Sequence, residues 1–417
     1  MNSLLLRNPR KNSGPPPFFS SKHPHDWFAE LVRPLFDAVC DLPRFNSKHR
    51  TPCGRKAHGK FSADLKGRKM MKTNLISVVA GLVLLIAVPA GLVAAGWGFH
   101  GGPAPQTNDR YRLEGPFTQG NLSVFLIHGK DKIKGETFLT LQEALVQKKV
   151  IVRETRSVNE LSIENISREE VYVQSGDIVK GGAQDRMMAV DLILPPRSGK
   201  IPISAFCVEN GRWSQRGSEQ VTVFGSSANI VAGRDVKLAA KSASSQSEVW
   251  RQVAVAQDKL SANTGARVNG DASPSSYQLA LENKEVQASS DRYFKALAGI
   301  VDGKTDVIGY VFAINGKINS ADVYASNALF RKLWPKLLQA SAIEAVAELR
   351  RGEKFAAPKP AAVQGFLDDA EKGADKPKDV SPRVQMVTRE SDENVFFETR
   401  DRAKSDTWVH RNYIKKH

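Results

Sequence analysis

Residues Ser175–Trp213 read SGDIVKGGAQDRMMAVDLILPPRSGKIPISAFCVENGRW. Two apolar runs, MMAVDLILPP and IPISAFCVENGRW, are each bracketed by a small cluster of Gly, Gln, Asp, Glu and Arg. Strand-like runs with polar clusters at their ends place charge-capable side chains at the tips of adjacent strands. In IPISAFCVE, period-two alternation puts Ile201, Ile203, Ala205, Cys207 and Glu209 on one face. If the isoleucines face the core, Glu209 points inward at the strand end, where a carboxylate needs a partner.

Outward from this stretch the alternation continues. SVFLIHG, VIVRET (150–155), LSIENI (161–166) and VYVQSG (171–176) follow at short spacing with polar turns between them, the pattern of an antiparallel sheet or sandwich. Thr140 and Glu143 form a T-x-x-E capping box ahead of a short helix over 141–147. Downstream, 242–262 reads as a helix with Val249, Val253, Val255 and Leu260 on its apolar side. Residues 264–276 read as a polar loop, and Ser290 as the cap of a helix carrying Tyr293, Phe294 and Leu297. Asn315-Gly316 marks a hairpin within VIGYVFAINGKINSADVYAS. A helix follows with Leu329, Leu333 and Leu337 at i, i+4 spacing, and Pro335 should start or kink a turn there. RVQMVTR, NVFFETR and TWVHRNYIKK close the chain as strands returning to the main sheet. The fold class is α+β, an antiparallel β-rich core with several packed helices.

A single N-terminal transmembrane or signal-anchor helix is expected before that core. Leu75 to Phe99 is nearly all apolar and long enough to cross a bilayer core, which needs about 20 residues. Lys66, Arg68, Lys69 and Lys72 precede it, so the positive-inside rule places the following domain outside the cytoplasm, either anchored or secreted after signal cleavage. Residues 1–69 read as a disordered or artefactual extension, with Met70 or Met71 as the start; 70–99 is the anchor and 100–112 a Gly/Pro linker. Residues 113–417 then form one domain, with a Pro/Ala/Lys-rich, linker-like insertion at 356–380.

The formal net charge of the 417 residues is +16. Residues 1–74 carry about +10 of it, leaving only about +6 on the rest, so no nucleic-acid partner is expected of the folded part. The three cysteines, Cys40, Cys53 and Cys207, include one in the folded part, and no Cys/His spacing fits a zinc site. No metal and no cofactor is expected. Cys207 and Arg212 miss the C-x5-R spacing of a phosphatase loop by one residue, and Cys207 reads as a buried thiol.

Glu209 and Arg212 are the candidate catalytic pair, a general base beside an anion clamp, with Arg186 the other nearby guanidinium. The competing reading of the same residues is a buried Glu–Arg brace that holds the ENGRW turn. Gly181-Gly182 supplies a positive-φ turn, or a backbone nest for phosphate flanked by Lys180 and Arg186; KGGAQDR is neither a Walker A motif nor a Rossmann fingerprint. Asp177, Gly181, Gly182, Gln184, Asp185, Arg186 and Trp213 are the candidate ligand-binding residues.

GDIVKGGAQDR, PPRSGKIPIS, CVENGRW, the EVW at 248–250, the INGKINSADVYAS hairpin with LWPKLL, and the terminal FETRD and VHRNY together resemble one family, the ARG and rhodanese-phosphatase-superfamily-associated protein domain. The resemblance runs from about Leu113 to Lys415. Asp177 stands where that family's pattern would have Glu. The resemblance implies a link to ADP-ribose-like or phosphorylated ligands and carries no catalytic residues with it. The expectation is a membrane-anchored extracytoplasmic binding or accessory domain; the alternative is a metal-independent hydrolase acting on a phosphorylated or ADP-ribose-like ligand through Glu209.

Overall fold

The computed structural model describes residues 111–417 apart from 134, 136 and 137. The anchor, the linker and the N-terminal extension expected from the sequence lie outside the described residues.

Two sheets carry the domain. The first is an eight-stranded antiparallel sheet in the order β1-β2-β12-β13-β17-β16-β15-β14. Its strands are β1 (Arg112–Gln119), β2 (Leu122–His128), β12 (Val307–Ile314), β13 (Lys317–Tyr324), β14 (Lys376–Asp379), β15 (Val384–Glu390), β16 (Asn394–Asp401) and β17 (Thr407–Lys415). The second closes into a barrel in the order β10-β5-β4-β11-β7-β8. These strands are β4 (Val150–Ser157), β5 (Glu160–Asn165), β7 (Asp177–Gly181), β8 (Arg186–Met188), β10 (Gly199–Cys207) and β11 (Val223–Val231). The short strands β3 (Leu139–Thr140), β6 (Val171–Val173) and β9 (Leu192–Leu194) make a small third sheet. The expected sheet or sandwich is therefore a sheet plus a barrel, and the coarser α+β reading holds.

MMAVDLILPP does not run as one strand. It splits into β8 and β9, which belong to different sheets, with Asp191 at the break. Alternation survives where one face is solvated. In β10, Ile203, Ala205 and Cys207 are buried while Pro202 and Ser204 are exposed. β12 is buried along its whole length because both faces of its sheet are covered. Tyr310, Phe312 and Ile314 enter the main core. Val311 with Phe125, Val323, Phe396 and Tyr413 forms a second cluster, capped by Val363, Phe366, Leu367 and Ala370 of one helix.

Seven α-helices lie among the described residues: α1 (Leu141–Val146), α2 (Arg234–Lys241), α3 (Gln246–Thr264), α4 (Tyr277–Leu281), α5 (Lys284–Leu297), α6 (Asn327–Ala347) and α7 (Pro360–Ala370). The Thr140–Glu143 capping box forms as the sequence requires. The Asn315-Gly316 turn forms too, with φ of +53° and +76°. Two expectations are corrected. Helix α5 begins after Asn283, whose side chain accepts from Glu285 N–H, and Ser290 sits inside it bonding back to Gln287. The segment read as a linker carries α7, with Pro360 in its first turn and Val363, Phe366, Leu367 and Ala370 at helical spacing on its buried face. Pro335 lies inside α6, which runs on past it. No helix of the described residues is long and apolar enough to cross a membrane.

Candidate functional site

The end of β10, the β7–β8 turn and the loop after Cys207 meet at one end of the barrel. Glu209 is fully buried there. One carboxylate oxygen accepts from Arg212 Nε at 2.6 Å and Arg216 Nη1 at 3.1 Å; the other accepts from Arg212 Nη2 at 2.7 Å and the Asp185 N–H at 2.8 Å. Asp185, also fully buried, takes both Nη groups of Arg216 at 2.9 and 2.7 Å, the Ser276 hydroxyl at 2.7 Å and the Gly181 N–H at 3.0 Å. Burial alone would raise the Glu209 carboxyl, but Arg212 and the other donors hold it below its usual value.

A guanidinium has five N–H donors. Arg212 directs all of its donors to protein acceptors: the two Glu209 oxygens, Gly181 O, Gly182 O and Ser214 O. Arg216 does the same with Asp185, Glu209 and Glu219. The arrangement clamps the Gly181-Gly182 turn to the loop after β10. Both glycines have positive φ, +113° and +56°, and a Cβ on Gly182 would collide with the Phe224 ring.

Arg186 is not a partner of Glu209. Its side chain enters the barrel, where it meets both Glu154 oxygens at 3.2 Å, Val158 O at 3.1 Å and the Cys207 sulfur. Glu154, 32 residues upstream on β4, supplies the counter-charge that Glu209 was expected to supply. Burial pushes the Cys207 thiol up to about 11, so it carries no thiolate at neutral pH. Gln184 is fully buried, and neither end of its amide has a partner among the described residues. Asp177 lies elsewhere, on Lys336 Nζ at 2.5 Å and the Gln174 N–H at 3.0 Å. Trp213 is 54% exposed. The structure thus brings Gly181, Gly182, Asp185, Glu209 and Arg212 together, and leaves Asp177 and Trp213 outside the cluster.

Sequence reasoning missed Arg216. The run ENGRWSQRGSE flanks two arginines, Arg212 and Arg216, with two acids, Glu209 and Glu219, at spacings of three and four, and that spacing was the available signal. It also missed a buried network between the barrel side and the large sheet. His410 bridges Asp191 at 2.8 Å and Asp322 at 3.0 Å, stacked on the Tyr324 ring. Asp191 further takes the Thr399 hydroxyl at 2.6 Å and the Ser175 N–H at 2.7 Å. Burial would lower the His410 pKa, but Asp191 and Asp322 outweigh it and raise the value.

A cavity of about 230 Å³ lies apart from both clusters, between α2, α3, α6 and the β12–β13 hairpin. Its walls include Ile230, Leu260, Ile314 and Ile343, and its polar lining includes Glu344, Asn319 and Tyr277. Among the described residues no group of three His, Cys, Asp or Glu side chains is placed to hold a metal ion.

A family profile, the ARG and Rhodanese-Phosphatase-superfamily-associated Protein domain, matches residues 110–414. The chain belongs to that family. The match spans both sheets and every described helix, so the barrel-end cluster and the cavity both lie within the family domain. No curated protein and no solved structure matches the chain. The family name records an association with other proteins and assigns no reaction.

Proposed function

We propose that the chain is a binding or accessory module, held at the outer side of the cytoplasmic membrane by residues 75–99, and that the Glu209 cluster is a brace within it. One observation carries the second part: every donor of Arg212 and Arg216 already meets a protein acceptor, so neither guanidinium has an N–H left to receive phosphate. The hydrolase alternative needs those donors and needs Glu209 facing a substrate. Glu209 is instead enclosed, its acceptors met by four N–H groups. The anchor rests on the charge-free apolar run and the basic residues before it.

The test is a thermal-shift screen of the full-length protein with inorganic phosphate, ADP-ribose, nucleotides, sugars and small neutral or charged organic molecules. A ligand at about 100 times its Kd stabilises by about 2.7 kcal/mol. The expected outcome is no shift with phosphate or ADP-ribose and a shift with one of the small organic molecules. Stabilisation by ADP-ribose or phosphate that disappears in a folded Glu209→Gln variant would overturn the reading and restore the hydrolase.

A further inference from the structure

Lys241 is the last residue of α2, and its side chain reaches the inner face of the large sheet. Nζ donates to Asn412 Oδ1 at 3.2 Å and to Ser175 Oγ at 3.1 Å, and it lies 4.0 Å from the centroid of the Phe397 ring. Ser175, Phe397 and Asn412 are all buried, so the head group is enclosed even though the stem of Lys241 reaches solvent. Both hydrogen-bond partners are neutral. Burial pushes the Lys241 ammonium down to about 8, with Asp191 opposing and Lys237 assisting, so free amine is present near neutral pH.

The Asn412 amide is held in one orientation. Nδ2 donates to Asp322 Oδ1 at 2.9 Å and to Ala321 O at 3.3 Å. A flipped amide would set its oxygen against both of those acceptors, so Oδ1 faces Lys241 and Nδ2 faces Asp322. Asp322 Oδ1 also meets His410 Nε2 at 3.0 Å. Asp322 and His410 are each 1% exposed, and Tyr324 and Tyr172 pack on the His410 ring, which keeps water out.

A lysine kept for its charge would sit on a carboxylate, as Lys336 sits on Asp177. Here the two nearby carboxylates, Asp191 and Asp322, turn to His410, and Asp322 also takes the amide nitrogen. The amine is left on the carbonyl side of a neutral amide, with an acid–base pair on the side of its leaving nitrogen. That is the arrangement for aminolysis of the amide: a desolvated amine, a fixed acyl group and a proton donor at the group that departs.

We propose that Lys241 and Asn412 condense into an intramolecular isopeptide bond. The uncharged Nζ attacks Cγ, the Nζ–Cγ bond forms, and the Cγ–Nδ2 bond breaks. Asp322 is the catalytic residue: it passes a proton from the His410 imidazolium to Nδ2, which departs as ammonia. The proton that Nζ sheds restores the pair, so the net transfer is one proton from Nζ to Nδ2, with nothing oxidised or reduced. The bond ties α2 to β17 across 171 residues of chain, and a cross-link closing so long a loop restricts the unfolded state strongly. The inference stands independently of the binding-module reading.

The experiment is peptide mass spectrometry of the full-length protein, held folded at pH 8, near the pKa of the amine, then denatured and digested with trypsin. The expected species is residues 238–251 joined to residues 412–415, uncleaved after Lys241 and lighter than the two peptides together by one ammonia. Fragmentation should place the junction on Lys241 and Asn412. Peptide mapping is required because a succinimide at Asn315-Gly316 would also lose ammonia from the intact mass. Lys241→Arg keeps a cation for Ser175 and Asn412 and should release residues 412–415 as a linear peptide. Asp322→Asn should do the same with Lys241 intact; circular dichroism establishes that each variant is folded. A wild type cleaved after Lys241, with residues 412–415 recovered only in linear form, means a non-covalent brace and overturns the proposal. A junction on other residues overturns it as well. A folded Asp322→Asn that cross-links as fully as wild type overturns the role given to Asp322.

Discussion

Replacing Glu209 with glutamine separates a brace from a catalytic base. The carboxylate accepts four N–H groups, two on each oxygen: Arg212 Nε and Arg216 Nη1 on one, Arg212 Nη2 and the Asp185 N–H on the other. Glutamine keeps one oxygen. Whichever oxygen becomes the amide nitrogen, its two N–H groups face two donors that formerly pointed at an acceptor. At least two hydrogen bonds to a charged group are lost, each about 1.5–3 kcal/mol. The side chains of Arg212 and Arg216 are only 7% and 4% exposed, so water does little to replace the lost partner. The expected loss is about 3–5 kcal/mol, the range for removing one partner of a buried ion pair. Against a total of about 5–15 kcal/mol, that is readily measured by urea denaturation at pH 7. The acid limb adds a second readout. The folded-state pKa of Glu209 lies below its unfolded value, so its contribution is present above the unfolded pKa and is lost as pH falls through the folded one. The variant should lack that part of the acid-side slope. A loss under about 1 kcal/mol, with the slope unchanged, would refute the brace.

His410 gives a pH dependence of opposite sense. Its folded pKa is raised, so the stability it contributes is complete below the unfolded value and falls as pH rises through the folded one. Denaturation between pH 6 and 8 should show wild type losing stability that a His410→Gln variant does not lose, with the imidazolium of His410 persisting by NMR above about pH 6.5. A wild-type curve rising over that interval on account of His410 would contradict the geometry. For the anchor, a reporter fused after Asn108 should lie outside the cytoplasm, because no lysine or arginine occurs between Thr73 and Asn108, while Lys66, Arg68, Lys69 and Lys72 precede the apolar run. A cytoplasmic reporter would refute it.

What the sequence disclosed was local. The Thr140–Glu143 capping box, the Asn315-Gly316 hairpin and strands β4, β5 and β15 to β17 each depend on residues within a few positions of one another. The Glu209–Arg212 pair was legible for the same reason, being three residues apart. Closure of the barrel was not legible, because β10 must find β5 and β8, and β11 must find β4 and β7. Arg186 was assigned to Glu209 on sequence proximity, and the barrel instead brings Glu154 to it across 32 residues. Helix α7 was taken for a linker on its Pro/Ala/Lys content; the Val363–Phe366–Leu367–Ala370 spacing was the contrary sign. Nothing in the sequence joins Glu344 to Asn319, 25 residues apart on a helix and a strand.

Two glutamates show why burial alone does not mark a functional carboxylate. Glu209 is buried at the barrel end, and its oxygens meet two guanidinium groups and a backbone N–H. Its charge is compensated within the fold, so a ligand there would have to displace protein partners before gaining its own. Glu344 lies against open volume, holds one backbone N–H and one amide N–H, and has no cation at salt-bridge distance among the described residues. A buried Asn319 oxygen with no donor lies beside it. What marks Glu209 as a brace is therefore the completeness of its partners together with its full burial: four N–H groups converge on it, whereas the half-buried Glu344 holds two.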